Sequence, residues 1–387
     1  METNQAKAIR KMQDFYAFKP DAEIVQKEFG FYVLDKWQEQ GYLKKPDEVE
    51  DYWGYLCGIF HYDPPALVDV MGLGWCEAEL FPRFEEKLLE DRGDHEVIQD
   101  FAGRAVLMFK GRREGFMPEY IDHPVKDWRT WEEDVKWRLD PHSEGRSRLT
   151  ESQLRRAVEG QKQGLHITQR VIGGYMYLRS LMGPVDLLYK FYDEPELIHD
   201  CMQTWLKLAD HVIAVHQEQV SFDELFFGED ICYNTGSLIS PDMIREFLFP
   251  YYQQLIDNMR RRNRGRELVL QLDTDGYCNA VIDLYRELGF RYFSPCEVAS
   301  HCDVVEIGKQ YPDLLLSGGI DKRVLAGSKE DIARHVDSIM SYMKKRGGYI
   351  PTCDHGVPAE VPFENYLYYR ELMSRYCPAA GKGAAGC

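Results

Sequence analysis

The sequence predicts an α/β protein, a (β/α)8 TIM-type barrel that follows an irregular N-terminal extension. From about residue 151, short apolar runs alternate with amphipathic stretches of helical periodicity. This rhythm is typical of a parallel sheet with helices outside it. The units are numerous enough to close a barrel, which we favour over an open doubly wound sheet. No G-x-x-x-x-G-K-S/T occurs and no G-x-G-x-x-G follows a predicted strand, so nucleotide binding has no support.

The elements of this repetitive part follow from local signals. Strands are predicted where short apolar or β-branched runs end at turn residues, at 165–172, 225–227, 268–272, 291–293, 314–319 and 348–351. Helices are predicted at 151–163, 185–191, 195–217, 240–262, 279–289, 303–309, 328–346 and 363–375. Ser240 before a proline marks a helix start, and Ser328 opens a capping box. Pro250 should kink or split the helix that begins at Ser240.

The front of the chain is less regular. Residues 22–40 predict a helix, and 95–109 predict a β-hairpin with a glycine turn. Residues 112–141 are rich in aromatic and charged side chains, and we interpret them either as an excursion over a substrate mouth or as a plain surface connection. The predicted organisation is therefore a helical and hairpin extension at 1–150 that covers the mouth, the main part of the barrel at 151–376, and a disordered tail at 377–387.

Composition narrows the class of protein. The net charge of −17 argues against nucleic-acid binding, which needs a basic face. No apolar run is long enough to span a membrane, and the polar amino terminus does not resemble a signal peptide. Ten cysteines without a CxxC pair are consistent with reduced thiols. We therefore expect a cytoplasmic enzyme that acts on a small molecule, and a homodimer is left open.

The most informative motif is Asp273-Thr274-Asp275-Gly276, directly after the strand predicted at 268–272. Backbone alternation places Asp273 and Asp275 on one side, so both could face one ligand or metal ion. The loops after parallel strands carry the chemistry of α/β barrels. The alternative is an Asp-rich turn that only caps the next helix.

Other candidates share this position after a strand. We expect catalytic roles for Asp275, His355 and Glu229. We expect substrate-binding roles for Tyr175, Asp230, Glu297 and Asp321. The simpler alternatives are helix capping by Glu229 and Asp230, a surface ion pair for Asp321 beside Lys322, and packing for Tyr175. A looser group could bind zinc or consist only of buried thiols, namely Cys296, His301, Cys302 and Cys353.

Four stretches carry a family resemblance. They are GEDICYNTGSLISPDMIREFLFP at 228–250, LQLDTDGY at 270–277, SGGIDKRVL at 317–325 and GGYIPTCDHGVPAEVPFENYLYYRE at 347–371. With weaker matches from about residue 115, they resemble the uroporphyrinogen decarboxylase superfamily, which also contains methyltransferases that serve corrinoid proteins. The resemblance implies a (β/α)8 barrel with its site at the carboxyl ends of the strands.

Departures from the family pattern shape the functional expectation. The arginine-rich segment with which uroporphyrinogen decarboxylases hold their substrate is absent, and only His355 matches a decarboxylase loop clearly. The corrinoid methyltransferases bind zinc through H-x-C and a later cysteine. At those places this chain has Asp273-x-Asp275, with His355 opposite the later cysteine and Cys353 two residues away. The resemblance thus implies a zinc set of Asp273, Asp275 and His355, with Cys353 as a weaker candidate.

Three functions follow as hypotheses. The first is a methyltransferase component that demethylates a methoxylated small molecule and passes the methyl group to a separate corrinoid protein, which brings the cobalamin. The second is a metal-independent decarboxylase in which Asp275 and His355 handle protons. The third is a barrel that binds a small molecule without catalysis. Aromatic side chains at the mouth favour the first, and arginine or lysine there favours the second.

Overall fold

The computed structural model describes residues 2–111 and 118–376. Its strands are β1 Leu67–Val70, β2 Lys87–Arg92, β3 His95–Gln99, β4 Ala105–Phe109, β5 Glu119–Asp122, β6 His166–Ile172, β7 Glu224–Gly228, β8 Cys232–Tyr233, β9 Gly236–Ser237, β10 Val269–Asp273, β11 Phe290–Ser294, β12 Leu315–Ile320 and β13 Tyr349–Cys353. Its α-helices are α1 Asn4–Tyr16, α2 Leu34–Glu39, α3 Tyr52–Phe60, α4 Trp128–Thr130, α5 Glu151–Lys162, α6 Gly174–Met182, α7 Asp186–Asp193, α8 Pro195–Gln219, α9 Pro241–Phe247, α10 Phe249–Arg262, α11 Ile282–Arg286, α12 Val304–Gln310, α13 Lys322–Leu325, α14 Lys329–Arg346 and α15 Phe363–Arg375.

Seven of these strands form one parallel sheet in the order β1-β6-β7-β10-β11-β12-β13. Helices connect successive strands, as the alternation in the sequence predicts. On β10 the leucines at 270 and 272 are fully buried in the main apolar cluster, whereas Gln271 and Asp273 face a cavity enclosed by the sheet. This arrangement is consistent with the predicted (β/α)8 fold, with the seven strands as its parallel sheet.

The N-terminal segment 24–31 connects the two edges of that sheet. Glu28 accepts a hydrogen bond from the amide of Cys353, the last residue of β13, at 2.6 Å. Just beyond β13, Val357 exchanges backbone hydrogen bonds with Gly30 and Tyr32, each at 2.9 Å. Toward β1, the Asp63 amide donates to a carbonyl of the same segment at 2.8 Å. The segment therefore satisfies one amide of the edge strand β13 and contacts the chain next to both edges of the sheet.

This placement corrects the helix predicted at 22–40. The helix is confined to Leu34–Glu39, and residues 22–28 form no regular secondary structure. Apolar residues at mixed helical spacing were the basis of the prediction, but the buried Ile24 and Trp37 are separated by the isolated β-bridge between Phe31 and Val357. Pairing along the sheet edges therefore outweighs the local periodicity.

Several capping predictions are confirmed. The Ser240 side chain accepts a hydrogen bond from the amide of Met243, and Ser328 accepts one from the amide of Asp331. Helix α9 ends at Phe247 and α10 begins at Phe249, so the chain is divided next to Pro250 as expected. These caps satisfy free amides in the first turn and so determine the residue at which each helix begins.

The extension contains an antiparallel sheet of order β2-β3-β4-β5, and β3 and β4 form the predicted hairpin. The barrel sheet itself begins before residue 151, because β1 lies at Leu67–Val70 and pairs with β6.

No helix among the described residues is long and apolar enough to cross a membrane. The predicted tail at 377–387 lies outside the described residues, and so does 112–117 of the predicted excursion.

The rest of that excursion packs against helices α6 to α8. The Val125 amide donates to the Leu181 carbonyl at 2.9 Å, and the Trp131 indole donates to Asp200 at 2.7 Å. None of its described residues lines the barrel cavity. The second interpretation, a surface connection, therefore fits these residues better than an excursion over the mouth.

Candidate active site

The parallel sheet encloses a cavity of about 210 Å³. Every strand of the sheet contributes to its wall, because alternate side chains of each strand point inward. Helix α1 closes the cavity at the amino ends of the strands. There the Tyr16 hydroxyl donates to Glu224 at 2.5 Å, and its ring stacks on His166 at 3.9 Å. The cavity therefore opens toward the carboxyl ends, where barrels keep their active sites.

An ion pair spans the wall between β1 and β6. The Arg170 guanidinium lies 2.8 Å from the Asp69 carboxylate. The same guanidinium lies over the rings of Trp75 and Phe226, at 4.8 and 4.3 Å from their centroids. Sequence reasoning missed these residues, although a charged side chain inside an otherwise apolar strand is a signal that could have found them.

A second cation, Lys27, enters the cavity from the segment 24–31. Burial lowers the pKa of Lys27, while the carboxylates of Asp69 and Glu224 oppose that shift. The ammonium makes no ion pair within 4.0 Å among the residues that the structure describes. Lys27 is half-buried, and a cation that is partly removed from water without a close partner is a candidate for contact with a ligand.

Asp273 lines the cavity at the carboxyl end of β10. It accepts a hydrogen bond from the Ser294 hydroxyl at 2.8 Å, and Gln271 in turn donates to that hydroxyl at 2.8 Å. Burial, together with the nearby carboxylate of Asp275, raises the pKa of Asp273 to about 7, although the hydrogen bond from Ser294 acts in the opposite direction. Asp273 can therefore exchange a proton near neutral pH, as a general acid requires.

The loops that follow the strands form the rim of the cavity at its open end. There Asp275 pairs with His355, with 3.4 Å between the carboxylate and the imidazole Nε2. The imidazole also lies against the rings of Phe29 and Tyr32, at centroid distances of 5.2 and 5.7 Å. Asp275 raises the pKa of His355 through its hydrogen bond. The structure thus brings together two predicted catalytic residues, and it adds an aromatic wall that the sequence did not indicate.

Asp230 is held next to the same loop. Its backbone is left-handed, with φ 43°, and its carboxylate accepts hydrogen bonds from the Asp275 amide and from Arg179, each at 3.2 Å. Burial raises the pKa of Asp230, and the charge of Asp275 adds to this effect. The predicted rim residues Asp230, Asp273 and Asp275 are therefore close enough to influence one another electrostatically.

Glu229 is fully buried behind the rim and does not line the cavity. The Tyr252 hydroxyl lies 2.8 Å from both carboxylate oxygens, and the Tyr175 amide donates to one of them at 3.1 Å. Burial raises the pKa of Glu229 to about 7. In this arrangement Glu229 connects the ends of β6 and β7 and supports the rim from behind.

Glu297 belongs to a second polar group on the rim. It accepts hydrogen bonds from the Gly276 amide and from Lys322, each at 3.1 Å. These contacts lower the pKa of Glu297 although burial acts in the opposite direction. The fully buried Asp354 accepts from the amides of Val298 and Lys322, at 2.9 and 3.1 Å. Glu297 thus fixes the loop of residues 274–277 to its neighbours, and Asp354 joins the loops that follow β11 and β12 to the loop after β13.

The comparison with known proteins identifies the family. The family model for uroporphyrinogen decarboxylase matches residues 129–376, well over half of the chain. The chain belongs to the uroporphyrinogen decarboxylase family. The match begins after β1, so Lys27 and Asp69 of the cavity wall lie outside it.

Individual relatives of this family are distant. The uroporphyrinogen decarboxylase of Shewanella halifaxensis is 27% identical over 195 residues, which are 48% of this chain and 51% of that protein. The chloroplastic uroporphyrinogen decarboxylase 2 of Oryza sativa is 23% identical over 184 residues, covering 47% of this chain and 44% of that one. The chain therefore spans about half the length of the curated relatives that it matches.

A methyltransferase from Methanosarcina mazei has a similar structure. Its TM-score is 0.57 at 12% identity, over 98% of this chain and 100% of that one. At this identity the likeness concerns the fold alone. The family model thus shows the family and the structural likeness shows the fold, and the choice between decarboxylation and methyl transfer depends on the site itself.

Three further residues for which the sequence predicted a role lie away from the cavity inside the sheet. Asp321 is buried, caps α13 and pairs with Arg323 at 2.9 Å, so it does not form the surface ion pair that the alternative described. Tyr175 is buried within α6, and Cys353 is buried at the end of β13. Their side chains do not line the cavity at all.

The residues that the family resemblance assigned to zinc do not fit a metal ion as placed. Within residues 2–111 and 118–376, no group of three or more His, Cys, Asp or Glu side chains is arranged to hold one. In the looser cysteine group, the Cys302 sulfur lies 3.5 Å from that of Cys278, a residue that the prediction did not include. Zinc therefore stays a prediction from the sequence.

Proposed function

We propose that this barrel transfers a methyl group from a methoxylated small molecule to a separate corrinoid protein. The proposal rests chiefly on Asp273, a carboxyl group with a pKa of about 7 that faces the cavity. When a methyl group leaves an ether, the oxygen that remains must take up a proton or have its negative charge stabilised. Protonated Asp273 is placed to supply that proton.

The walls of the cavity suit a small aromatic substrate. Trp75 and Phe226 stack at 5.2 Å between centroids, and Phe29 lies nearby on the wall. Cavity carboxylates outnumber the two cations, Lys27 and Arg170. A substrate with many negative charges would be repelled by such a wall, whereas a flat molecule with few charges would be accepted.

Each group then has a defined part in the reaction. The bond between the methyl carbon and the ether oxygen breaks, and the oxygen receives the proton of Asp273. Lys27 stabilises negative charge that develops on that oxygen, and the Asp275–His355 pair returns a proton to Asp273 from the rim. The corrinoid of the partner would supply the acceptor for the methyl group.

The test is methyl transfer to free Co(I) cobalamin, followed by its absorbance, with a panel of methoxylated aromatic compounds. We expect transfer by the natural protein and a loss of about 100-fold in Asp273→Asn, because general acid catalysis contributes on this order. Asp242→Asn, at a carboxylate that is 97% exposed, is the matched control. Equal rates in Asp273→Asn and the control would contradict the proposal.

Decarboxylation is the second candidate, favoured by the two cavity cations and by the decarboxylase relatives. Lys27 and Arg170 could hold a carboxylate, and Asp273 could protonate the carbon from which CO2 departs. The two candidates differ in one measurement, since only decarboxylation releases CO2 from an aromatic acid without any cobalamin. Release of CO2 that Asp273→Asn abolishes, with no methyl transfer, would replace the first proposal with the second.

A further inference from the structure

A second and larger cavity lies on the outside of the barrel. Its volume is about 410 Å³, and it lies between α5, α8 and the chain at 141–150. It shares no lining residue with the cavity inside the sheet. A volume of this size falls in the range of cavities that hold small organic ligands.

The charge of this outer cavity differs from that of the protein as a whole. The chain carries −17, yet the lining includes three arginines and only one carboxylate, Glu151. That carboxylate is already paired with Arg155 at 2.6 Å. The Arg148 guanidinium has no hydrogen bond or ion pair with any residue in the described ranges. A positive cavity on an acidic protein attracts anions selectively.

One wall is fixed and polar. The buried Arg146 donates to the carbonyls of Glu79, Arg138 and Asp140, at 3.0, 2.6 and 3.1 Å, and these three bonds hold the loop in place. Because this loop is tied down by a buried arginine, Arg148 two residues later projects from a rigid base.

The opposite wall combines apolar side chains with the polar His211 and Gln219 of α8. Leu154 and Val212 are buried, and Val215 completes the surface that α5 and α8 present to the cavity. A ligand that fills the space must therefore cover hydrocarbon on one side while it meets Arg148 on the other. An amphipathic anion, with one carboxylate or similar group on an apolar body, satisfies both walls.

A hydrogen-bond chain connects this cavity to the sheet. His216 contacts the Thr150 hydroxyl at 3.0 Å and the Gln169 side chain at 2.7 Å. Gln169 donates to the carbonyls of Val70 and Arg170, at 3.1 and 2.9 Å, on the two strands that carry the Asp69–Arg170 ion pair. Burial lowers the pKa of His216 to about 4, so the imidazole in this chain is neutral at physiological pH.

We propose that the outer cavity is a second ligand site, which binds an amphipathic organic anion through Arg148 and the apolar wall of α5 and α8. Hydrogen bonds through His216 and Gln169 connect this site to β1 and β6, two strands that also line the inner cavity. This site is independent of the reaction proposed above, because it uses none of the residues of that reaction.

Fluorescence titration with 8-anilinonaphthalene-1-sulfonate, an aromatic anion, tests the proposal on the full-length protein. We expect Arg148→Glu to weaken binding by about tenfold, since a charge-assisted contact becomes a repulsion. Arg156→Glu is the matched control, because Arg156 is an exposed arginine of α5 that does not line the cavity. Octanoate should displace the probe, and octanol at the same concentration should not.

A second variant separates the outer cavity from the inner one. Val212→Trp should fill the outer cavity and abolish probe binding, whereas Trp75→Ala, at the inner cavity, should leave it unchanged. Circular dichroism and the urea midpoint would confirm that each variant is folded. Equal weakening by Arg148→Glu and Arg156→Glu, or weakening by Trp75→Ala in place of Val212→Trp, would overturn the proposal.

Discussion

Asp273 and Asp275 are separated by one residue, yet their carboxylates have different partners. Asp273 accepts from Ser294 inside the cavity, whereas Asp275 pairs with His355 at the rim. Strand β10 ends at Asp273, so the alternation that would keep the two side chains together stops between them. One carboxyl is therefore placed to exchange a proton with a ligand, and the other is placed beside an imidazole.

The first prediction concerns stability and Asp273. Its pKa of about 7 in the folded protein lies above the ordinary value of 3.8, so the folded state retains this proton over a pH range where the unfolded state loses it. Stability associated with this group is therefore present below pH 3.8 and is lost as pH rises through about 7. We expect Asp273→Asn to raise the free energy of unfolding by about 1 to 3 kcal/mol at pH 8 relative to the natural protein.

Urea unfolding at pH 5 and pH 8 measures this effect. The increase in the free energy of unfolding caused by Asp273→Asn should be smaller at pH 5, because more of Asp273 is protonated there in the natural protein. Asp242→Asn, at the exposed position, should change stability little at either pH. A gain of the same size at both values would show that Asp273 is ionised in the folded protein throughout this range.

The second prediction concerns the Asp275–His355 pair. Because Asp275 raises the pKa of His355, the pair stabilises the fold below the ordinary imidazole pKa, and this contribution is lost as pH rises through the folded value. Asp275→Asn should lower the pKa of His355, which an NMR titration of the imidazole protons measures. Asp242→Asn should leave it unchanged. An unaltered His355 titration in Asp275→Asn would mean that the contact does not form in solution.

The third prediction concerns the support behind the rim. Tyr252→Phe removes the hydroxyl that contacts both oxygens of Glu229, and it leaves a buried carboxyl with fewer hydrogen bonds. We expect a loss of about 1 to 3 kcal/mol in the free energy of unfolding. The adjacent Tyr251, half-buried and bonded to His199 at 2.9 Å, gives the control Tyr251→Phe with a smaller loss. Equal losses would argue against a supporting role for Glu229.

The fourth prediction concerns Lys27. Lys27 is half-buried and has no close ion-pair partner in the described structure, so its replacement by methionine removes part of a desolvation cost. Lys27→Met should therefore raise the free energy of unfolding by about 1 to 2 kcal/mol at pH 7. The same change should weaken binding of the substrate found in the cobalamin assay. Lys44→Met, at an exposed lysine, should alter neither quantity. A destabilised Lys27→Met would show that the ammonium is stabilised by the cavity carboxylates.

The sequence by itself determined the repetitive part of the fold. Strand β7, the split next to Pro250 and the caps at Ser240 and Ser328 were all predictable, because each depends on residues within one or two turns of the chain. The same local logic located Asp273 and Asp275 after a strand. Their position at the carboxyl end of a parallel sheet followed from topology alone.

Only the tertiary structure decided which residues share the cavity. Lys27 and Asp69 reach Arg170 from parts of the chain that are far away in sequence, and no local pattern encodes such a meeting. Residues 22–29 satisfied a helical spacing equally well, but the open edges of the sheet provided hydrogen-bond partners that a helix would have left unused. Local periodicity specifies the type of an element only where no distant partner competes for its backbone, and at the sheet edges such a partner exists.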